Sequence, residues 1–299
     1  MSRLERPATI DPLEYEGLDD VLRWAIGEDV QTGDVTTDVL VSPAIRAVGR
    51  LLVKEEGVVC GLEIFERIFK LLDEHTTIET FASDGDFVKP GEIVAEVRGS
   101  ARILLMGERT ALNFTQRLSG IATHTAQFVA LIDGRAKLLD TRKTTPGLRA
   151  FEKYAVRCGG GTNHRYGLFD EVMVKDNHVS MAHGRSLAEM LLALRATHGE
   201  GMVIHCEARD EAEAAEAISG GADVVLLDNF TPEELTALVP KLRTSAEGRS
   251  RPVEFEASGG IRLNTVSAFA ATGVDRISCG AVIHSARSLD LSFKFEEER

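Results

Sequence analysis

The second half of the chain alternates strand-like and helical segments, and this alternation constrains the fold more than any other feature. Six apolar runs with strand character occupy 137–141, 171–175, 202–207, 223–228, 253–257 and 276–279. The intervening helical segments begin with capping pairs, which are Ser186 with Glu189, Asp210 with Glu213 and Thr231 with Glu234. Repeated strand–helix units form right-handed crossovers and a parallel sheet. We therefore predict an open, incomplete TIM-like α/β barrel, with an open doubly wound sheet as the alternative.

Ionic or glycine-rich residues follow each of these strands. The strand ends read Asp140-Thr141-Arg142-Lys143, Lys175-Asp176-Asn177-His178, Glu207, Asp228-Asn229, Ser258-Gly259-Gly260, and Gly280 followed by His284. In parallel α/β folds the functional site lies at the carboxyl ends of the strands. The repetition predicts one functional rim rather than a set of solvated loops.

The predicted rim combines cations, acids and small residues. Its cationic groups suit phosphates and carboxylates, and they are Arg142, Lys143, Lys175, His164 and Arg165. Glu207 and Asp228, on neighbouring strands, suit a hard cation such as Mg²⁺, with an ion-pair set formed with the lysines as the alternative. The backbone N–H groups after the last two strands can face a phosphate where a helix begins. These features predict a phosphorylated, metal-bound substrate that carries further negative charge.

The first half of the chain has a different character, which changes near residue 120. It contains a β-rich run over 46–61, a helix over 62–72 and a strand–turn–strand pattern over 83–99. Residues 100–132 are predicted to be helical with a break at Gly120. The 83–99 pattern is also typical of a lipoyl or biotinyl carrier hairpin, but the expected attachment lysine is not evident, since Lys89 precedes Pro90. We therefore favour the hairpin without a modification.

Charge and cysteine content exclude several classes of protein. The 299-residue chain carries a net charge of −13, which argues against nucleic-acid binding. Between Arg142 and His178, however, seven Lys and Arg residues face four Asp and Glu residues, and such a cationic island indicates a small anionic ligand. The four cysteines are scattered without metal-binding spacing, which predicts buried or incidental thiols. No apolar run suggests a signal sequence or a membrane span, so we expect a cytoplasmic protein.

Several motifs resemble those of the quinolinate phosphoribosyltransferase family, also called nicotinate-nucleotide pyrophosphorylase (carboxylating). The long motif is DTRKTTPGLRAFEKYAVRCGGGTNHRYGLFDEVMVKDNH at 140–178. Shorter motifs are GEDVQTGDVTTD (27–38), ERTALNFTQRLSGIAT (108–123), LLDNF (226–230), EASGGI (256–261) and SCGAVIHSA (278–286). The resemblance extends from about residue 15 to residue 296.

This resemblance implies both a fold and a reaction. The implied fold is an N-terminal α/β sandwich over 1–120, joined by a final strand over 288–299, and a catalytic open α/β barrel over 121–287. The implied reaction combines quinolinate with phosphoribosyl pyrophosphate and yields nicotinate mononucleotide, pyrophosphate and CO₂ in de novo NAD biosynthesis. The family also implies Mg²⁺ as cofactor and a homodimer with shared active sites. Whether dimers assemble further stays open.

Residue roles follow from the matched positions. Arg142, His164, Arg165 and Lys175 match residues that hold the quinolinate carboxylates, and Arg109 matches an arginine supplied across the dimer interface. Lys143 matches a lysine at the reacting centre, where Lys175 is a second candidate proton donor. Glu207 and Asp228 match the acids near the ribose and the metal. The residues that match the 5′-phosphate region are Ser258, Gly259, Gly260, Gly280 and His284.

One position departs from the family pattern. The third barrel strand reads His205-Cys206-Glu207 where family members often carry Glu-x-Glu, so the second acid is kept and the first is not. His205 lies on the same strand face as Glu207, which indicates a place lining the barrel. Two rival functions remain: a phosphoribosyltransferase of the same fold acting on another heterocyclic carboxylate, and a non-catalytic ligand-binding barrel.

Overall fold

The computed structural model describes residues 16–182 and 184–298, which form two compact units. The barrel unit comprises 127–143 and 161–284. The N-terminal unit comprises the described residues up to 126 together with 144–160 and 285–298. No helix in the described ranges combines the length and the apolar character needed to cross a membrane.

The N-terminal unit is built on an antiparallel sheet. Its strands are β1 (Arg46–Val53), β3 (Thr77–Thr80), β5 (Ile93–Ser100) and β12 (Leu291–Glu297), in the order β12-β1-β5-β3. Its helices are α1 (Leu18–Val30), α2 (Thr37–Leu40), α3 (Leu62–Leu72) and α5 (Arg149–Cys158), and α4 (Ala101–Ile132) begins in this unit. The predicted final strand, β12, is therefore an edge strand of the N-terminal sheet.

Aromatic packing joins α3 to this sheet. The rings of Phe65 and Phe69 lie 5.5 and 5.7 Å from the ring of Phe293 on β12, centroid to centroid. All three side chains are buried. A Cβ atom at Gly49, on the neighbouring β1, would lie 2.3 Å from the Phe293 ring, so this glycine makes room for the aromatic cluster.

The hairpin predicted over 83–99 is wrong in its pairing. The first strand is β4 (Phe87–Val88), and it pairs with β2 (Gly57–Val58) in a separate two-stranded sheet. The second strand, β5, pairs with β1 and β3 instead. Strand propensity and turn residues located both strands, but the choice of partner depends on contacts with residues distant in the sequence.

The break predicted at Gly120 is also wrong, since α4 runs through it without interruption. A Cβ atom at Gly120 would lie 2.0 Å from the carbonyl oxygen of Arg287. The segment after residue 284 is held against α4 by a hydrogen bond from Leu289 N–H to the carbonyl of Gln116. Gly120 therefore permits a close backbone approach rather than a helix break. It follows that the proposed division at residue 120 falls inside a helix.

The barrel unit contains a six-stranded parallel sheet. Its strands are β6 (Lys137–Leu139), β7 (Val172–Val174), β8 (Ile204–Ala208), β9 (Val224–Asp228), β10 (Glu254–Ser258) and β11 (Arg276–Ser278), in the order β6-β11-β10-β9-β8-β7. From β7 to β11, each strand pairs with the next strand in the chain, and β11 also pairs with β6. This cyclic order is that of a barrel opened between β6 and β7, whereas a doubly wound sheet would reverse direction at an internal strand.

Helices connect these strands much as the capping pairs predicted. They are α6 (Asp176–Met181), α7 (Leu187–His198), α8 (Glu211–Ser219), α9 (Pro232–Ser245), α10 (Val266–Ala270) and α11 (Ala281–His284). The capping boxes of Ser186 with Glu189 and of Thr231 with Glu234 are confirmed. At α8, Asp210 accepts the Glu213 N–H, but the Glu213 carboxylate accepts the Arg209 N–H instead of completing the box.

Candidate active site

Lysines and acids meet at the carboxyl ends of the barrel strands. Lys175 directly follows β7, Glu207 lies near the end of β8 and Asp228 ends β9. Lys175 Nζ lies 3.5 Å from Glu207 Oε2, although the Lys175 side chain remains 46% exposed. The lysine head is thus held at the acidic pair while it can still reach a ligand.

Both acids resist ionisation in this setting. Partial burial raises the pKa of Glu207, and repulsion from Asp228 adds to it, while Lys175 opposes the shift. Partial burial also raises the pKa of Asp228, against the opposing charges of Lys175 and Lys143. Two partly buried carboxylates whose ionised forms are disfavoured fit a divalent cation, because oxygen ligands of this kind hold Mg²⁺ together with substrate phosphates.

A glycine-rich turn follows β10 beside Asp228. Ser258 ends β10 in register with Asp228 on β9, and Gly259 and Gly260 have φ values of +97° and +62°. A Cβ atom at Gly259 would lie 2.2 Å from Asn229 Oδ1, so only glycine fits there. The sequence suggested that a helix begins directly after these glycines. This is wrong, because α10 starts only at Val266.

Lys143 and His284 lie over Gly280 at the end of β11. A Cβ atom at Gly280 would lie 3.0 Å from Lys143 Cδ, 3.2 Å from His284 Cδ2 and 3.2 Å from Thr141 Oγ1. The short helix α11 starts at the next residue and ends at His284. The absence of a side chain at Gly280 therefore leaves space that the lysine and the histidine share.

Arg142 and Arg165 are close enough to repel each other. Burial lowers the pKa of Arg165, and the charge of Arg142 lowers it further. The Arg165 guanidinium donates to the carbonyl oxygen of Glu171 at 3.1 Å, which anchors it, whereas Arg142 is exposed. An anionic ligand such as a carboxylate would relieve the repulsion between these two guanidinium groups.

His164 faces the interior of the barrel unit. Its Nδ1 accepts the backbone N–H of Arg165 at 2.7 Å, and its Nε2 lies 3.3 Å from Glu256 Oε1. The residue is 7% exposed. The backbone bond to Arg165 means that His164 also shapes the turn that carries this arginine.

His164 belongs to a buried charged network that sequence reasoning missed. His205 Nε2 lies 2.8 Å from Glu171 Oε2, and Arg276 Nε lies 2.9 Å from Glu256 Oε2. Burial alone would raise the pKa of Glu256, but the nearby charges of His164, Arg276 and His205 outweigh it and hold that pKa far below the ordinary value. Burial lowers the pKa of His205, against its hydrogen bond with Glu171.

A signal for this network was present in the sequence. Glu256 stands at an inward position of an alternating strand, between Phe255 and Ala257, and Arg276 is its register partner on β11. Charged residues at core positions of adjacent strands normally pair, because an unpaired buried charge is strongly unfavourable.

Arg109, the remaining predicted site residue, lies on α4. It belongs to the N-terminal unit and its side chain is exposed. All the other predicted site residues lie in the barrel unit.

The fold and the rim together define a class of protein. A singly wound barrel with two acids, several cations and glycine turns at its carboxyl edge is typical of enzymes that act on phosphorylated, anionic small molecules. Two family models narrow this class. The model of the quinolinate phosphoribosyl transferase C-terminal domain matches residues 121–294, and that of the N-terminal domain matches residues 34–119. The chain therefore belongs to the quinolinate phosphoribosyl transferase family.

Related sequences span nearly the whole chain. A protein of Bacillus subtilis (strain 168), described as a probable nicotinate-nucleotide pyrophosphorylase (carboxylating), is 43% identical over 266 residues, covering 89% of each chain. The nicotinate-nucleotide pyrophosphorylase (carboxylating) of Mycobacterium leprae is 37% identical, covering 93% of this chain and 97% of its own.

Solved structures share the fold at similar identity. NadC from Streptococcus pyogenes is 39% identical and superimposes with a TM-score of 0.89, covering 98% of this chain and all of that chain. The nicotinate-nucleotide pyrophosphorylase from Francisella tularensis is 37% identical with a TM-score of 0.84, covering 93% and 95%.

Proposed function

We propose that this protein is a quinolinate phosphoribosyltransferase of NAD biosynthesis. It transfers the ribose phosphate of phosphoribosyl pyrophosphate to the nitrogen of quinolinate, and the products are nicotinate mononucleotide, pyrophosphate and CO₂. The observation that carries this proposal is the meeting of Lys175, Glu207 and Asp228 at one strand edge, with the charge of Lys143 acting on the same Asp228. Family membership and the names of the relatives support it.

The dicarboxylate is held by the cationic part of the rim. Arg142, Arg165 and Lys175 bind the two quinolinate carboxylates, because charge-assisted hydrogen bonds of this kind are strong in a partly dry site. The mutual repulsion of Arg142 and Arg165 is relieved when an anion lies between them. His164 holds the turn that presents Arg165 and contributes to the same subsite.

Lys143 acts at the reacting centre. The pyridine nitrogen attacks the ribose carbon as pyrophosphate leaves, and carboxylates at Glu207 and Asp228 favour the positive charge that develops on the ribose. The positive charge on the alkylated nitrogen then stabilises the carbanion that forms on the adjacent ring carbon as CO₂ departs. Lys143, or Lys175 as the alternative, delivers a proton to the ring carbon that has lost its carboxylate.

The remaining rim residues are assigned to the phosphates and would hold a metal ion. Ser258, Gly259, Gly260, Gly280 and His284 bind the 5′-phosphate, chiefly through backbone N–H groups where side chains are absent. Glu207 and Asp228 would hold Mg²⁺, which supplies positive charge that stabilises the departing pyrophosphate. Their raised pKa values support this assignment, because a nearby cation would stabilise the two carboxylates in their ionised form.

The active form is proposed to be a cytoplasmic homodimer to which Arg109 contributes from the partner subunit. Large apolar side chains in the first part of the chain support an association surface, since Trp24, Val35, Val39 and Leu40 are between 72% and 82% exposed. A contiguous patch formed by such side chains would be typical of a protein interface.

The test is a product analysis with purified protein. Incubation with quinolinate, phosphoribosyl pyrophosphate and Mg²⁺ should release nicotinate mononucleotide and CO₂ in equal amounts. A parallel incubation with nicotinate in place of quinolinate is the control. If nicotinate is consumed and quinolinate is not, a different heterocyclic carboxylate is the substrate and the proposal fails.

A further inference from the structure

Two cysteines that look unrelated in the sequence meet in the N-terminal unit. The thiol sulfurs of Cys60 and Cys158 and a carboxylate oxygen of Asp84 all lie within 4.8 Å of one another. Cys60 immediately precedes Gly61, the N-cap of α3, and Cys158 is the last residue of α5. The spacing of the cysteines gave no hint of this pairing, because it arises only from the packing of these elements.

Asp84 already has a structural task in this cluster. Its carboxylate accepts hydrogen bonds from the Gly61 and Leu62 N–H groups at 2.8 and 2.9 Å, and from the Tyr154 hydroxyl at 2.9 Å. It therefore caps α3 and holds Tyr154. Structural zinc sites take four strong ligands, whereas this cluster offers two thiols and an acid that three donors already occupy. The observations favour chemistry between the thiols over a metal site.

The two thiols differ in access and in acidity. Cys60 is fully buried, and burial raises its pKa well above the ordinary value. Cys158 is partly exposed, and a hydrogen bond from Cys60 lowers its pKa. The thiolate is the reactive form of cysteine, so Cys158 is the group that an external reagent meets first. Cys60 then lies behind it.

Hydrogen bonds and close packing fix the backbone around both cysteines. Its N–H donates to Ser119 Oγ at 2.9 Å, and the same hydroxyl donates to its carbonyl oxygen at 3.1 Å. Cys158 is followed by Gly159, whose backbone lies so close to Ala122 that a Cβ atom would come within 2.3 Å of the carbonyl oxygen. Side-chain rotation is thus the motion that brings the sulfurs to a bonding distance of about 2.05 Å.

We propose that Cys60 and Cys158 form a reversible disulfide by exchange with a low-molecular-weight disulfide such as oxidised glutathione. The Cys158 thiolate attacks one sulfur of the reagent, forms a mixed disulfide and releases one thiolate. Cys60 then loses its proton to solvent and attacks the Cys158 sulfur, which forms the protein disulfide and releases the second thiolate. Two protein thiols are oxidised and one reagent disulfide is reduced to two thiols. Disulfides of this type inside cells are usually transient and redox-responsive.

The test follows the four cysteines of the full chain. Protein incubated with oxidised glutathione is quenched with an alkylating agent, digested and mapped by mass spectrometry. We expect a linked pair of peptides carrying Cys60 and Cys158, lost on treatment with dithiothreitol. The buried Cys206 and Cys279 are internal controls and should keep their thiols.

Single variants separate the two steps. Cys60→Ala should stop at one glutathione adduct on Cys158, and Cys158→Ala should slow modification of Cys60 by about tenfold or more. Circular dichroism checks that each variant is folded, and Cys206→Ala is the matched control that should still form the disulfide. The proposal fails if folded wild-type protein accumulates only the Cys158 adduct, or if it purifies with stoichiometric zinc that protects both thiols.

Discussion

His205, where the third barrel strand departs from the Glu-x-Glu pattern that the family resemblance led us to expect, lies against a buried carboxylate. Glu171 comes directly before the neighbouring strand β7, and its Oε2 lies 2.8 Å from His205 Nε2. Burial alone would raise the pKa of Glu171, but the bond to His205 and the nearby charges of His205, His164 and Arg276 lower it. His205 on the third barrel strand and the acid that precedes the second strand thus form a buried hydrogen-bonded pair.

Removing the charge of Glu256 should destabilise the fold. Glu256→Gln leaves Arg276 and His164 without their buried carboxylate, and breaking one side of such a set costs about 3 kcal/mol. The pKa of Glu256 in the folded protein lies far below its ordinary value of 4.5. The stability that the ionised Glu256 contributes to the folded state is therefore fully present above about pH 4.5, and it is lost as the pH falls toward the pKa of Glu256 in the folded protein. Urea unfolding should show a large difference from wild type at pH 7 and a smaller one near pH 3.

Glu254→Gln is the matched control for this prediction. The same Arg276 guanidinium binds Glu254 at 3.0 Å, but the Glu254 side chain is 37% exposed. Arg276 itself is buried, but the Glu254 carboxylate remains partly in water, which weakens its ion pairs, so this variant should lose clearly less stability than Glu256→Gln. An equal loss of unfolding free energy in the two variants would show that burial of Glu256 does not account for its contribution to stability.

Lys143→Ala should abolish most activity without harming the fold. The residue is exposed, so its loss leaves no cavity in the core. Loss of a charged group at the reacting centre should lower turnover by about a hundredfold or more. Steady-state kinetics and a thermal melt measure the two effects. Turnover close to wild type would remove Lys143 from the proposed mechanism.

At the level of elements, the two helical glycines Gly27 and Gly120 should respond oppositely to alanine. In α1, a Cβ atom at Gly27 meets nothing within 4 Å, so Gly27→Ala should stabilise the protein by about 0.5–1 kcal/mol through helix propensity. In α4, Gly120→Ala should destabilise it by about 1–3 kcal/mol, because the added methyl meets the backbone of Arg287.

Thermal melts of the two variants provide the measurement. Both changes add the same methyl group to a helix, so the difference between them reports the close approach alone. Similar stabilisation by both would mean that the segment after residue 284 does not lie against α4 as described.

The elements show where sequence reasoning was sufficient and where it was not. All six barrel strands were located, because each is a short apolar run bounded by ionic or glycine-rich residues. The pairing of β4 and the role of Gly120 were predicted wrongly, since both depend on residues far away in the chain. The rim residues could be anticipated from the strand ends. The network of Glu171, Glu256 and Arg276 was not predicted: charged residues at core strand positions signal buried pairs, but which of them meet depends on strand register and packing.

At the level of the whole molecule, the proposed sharing of active sites in a homodimer predicts complementation between inactive proteins. Arg109→Ala and Lys143→Ala each remove one of the groups proposed to come from different subunits. After mixing and subunit exchange, half of the dimers are mixed and one site in each regains both groups, which restores about a quarter of wild-type activity. Native mass spectrometry measures the mixed dimers and a product assay measures the activity. No recovery when mixed dimers are present would place Arg109 and Lys143 in the same subunit's site.

The edge strand of the first sheet comes from the far end of the chain, and this affects how the protein is made. β12 pairs with β1, and Arg46 reaches Glu298 across 252 residues of sequence. During synthesis the ribosome must translate the entire barrel unit before β1 can acquire this neighbour. Until then β1 and α3 lack the strand that covers them, and Phe293 is missing from their aromatic cluster. The protein therefore cannot mature one domain after another, and its N-terminal sheet stays vulnerable to aggregation or chaperone capture until the barrel has been made.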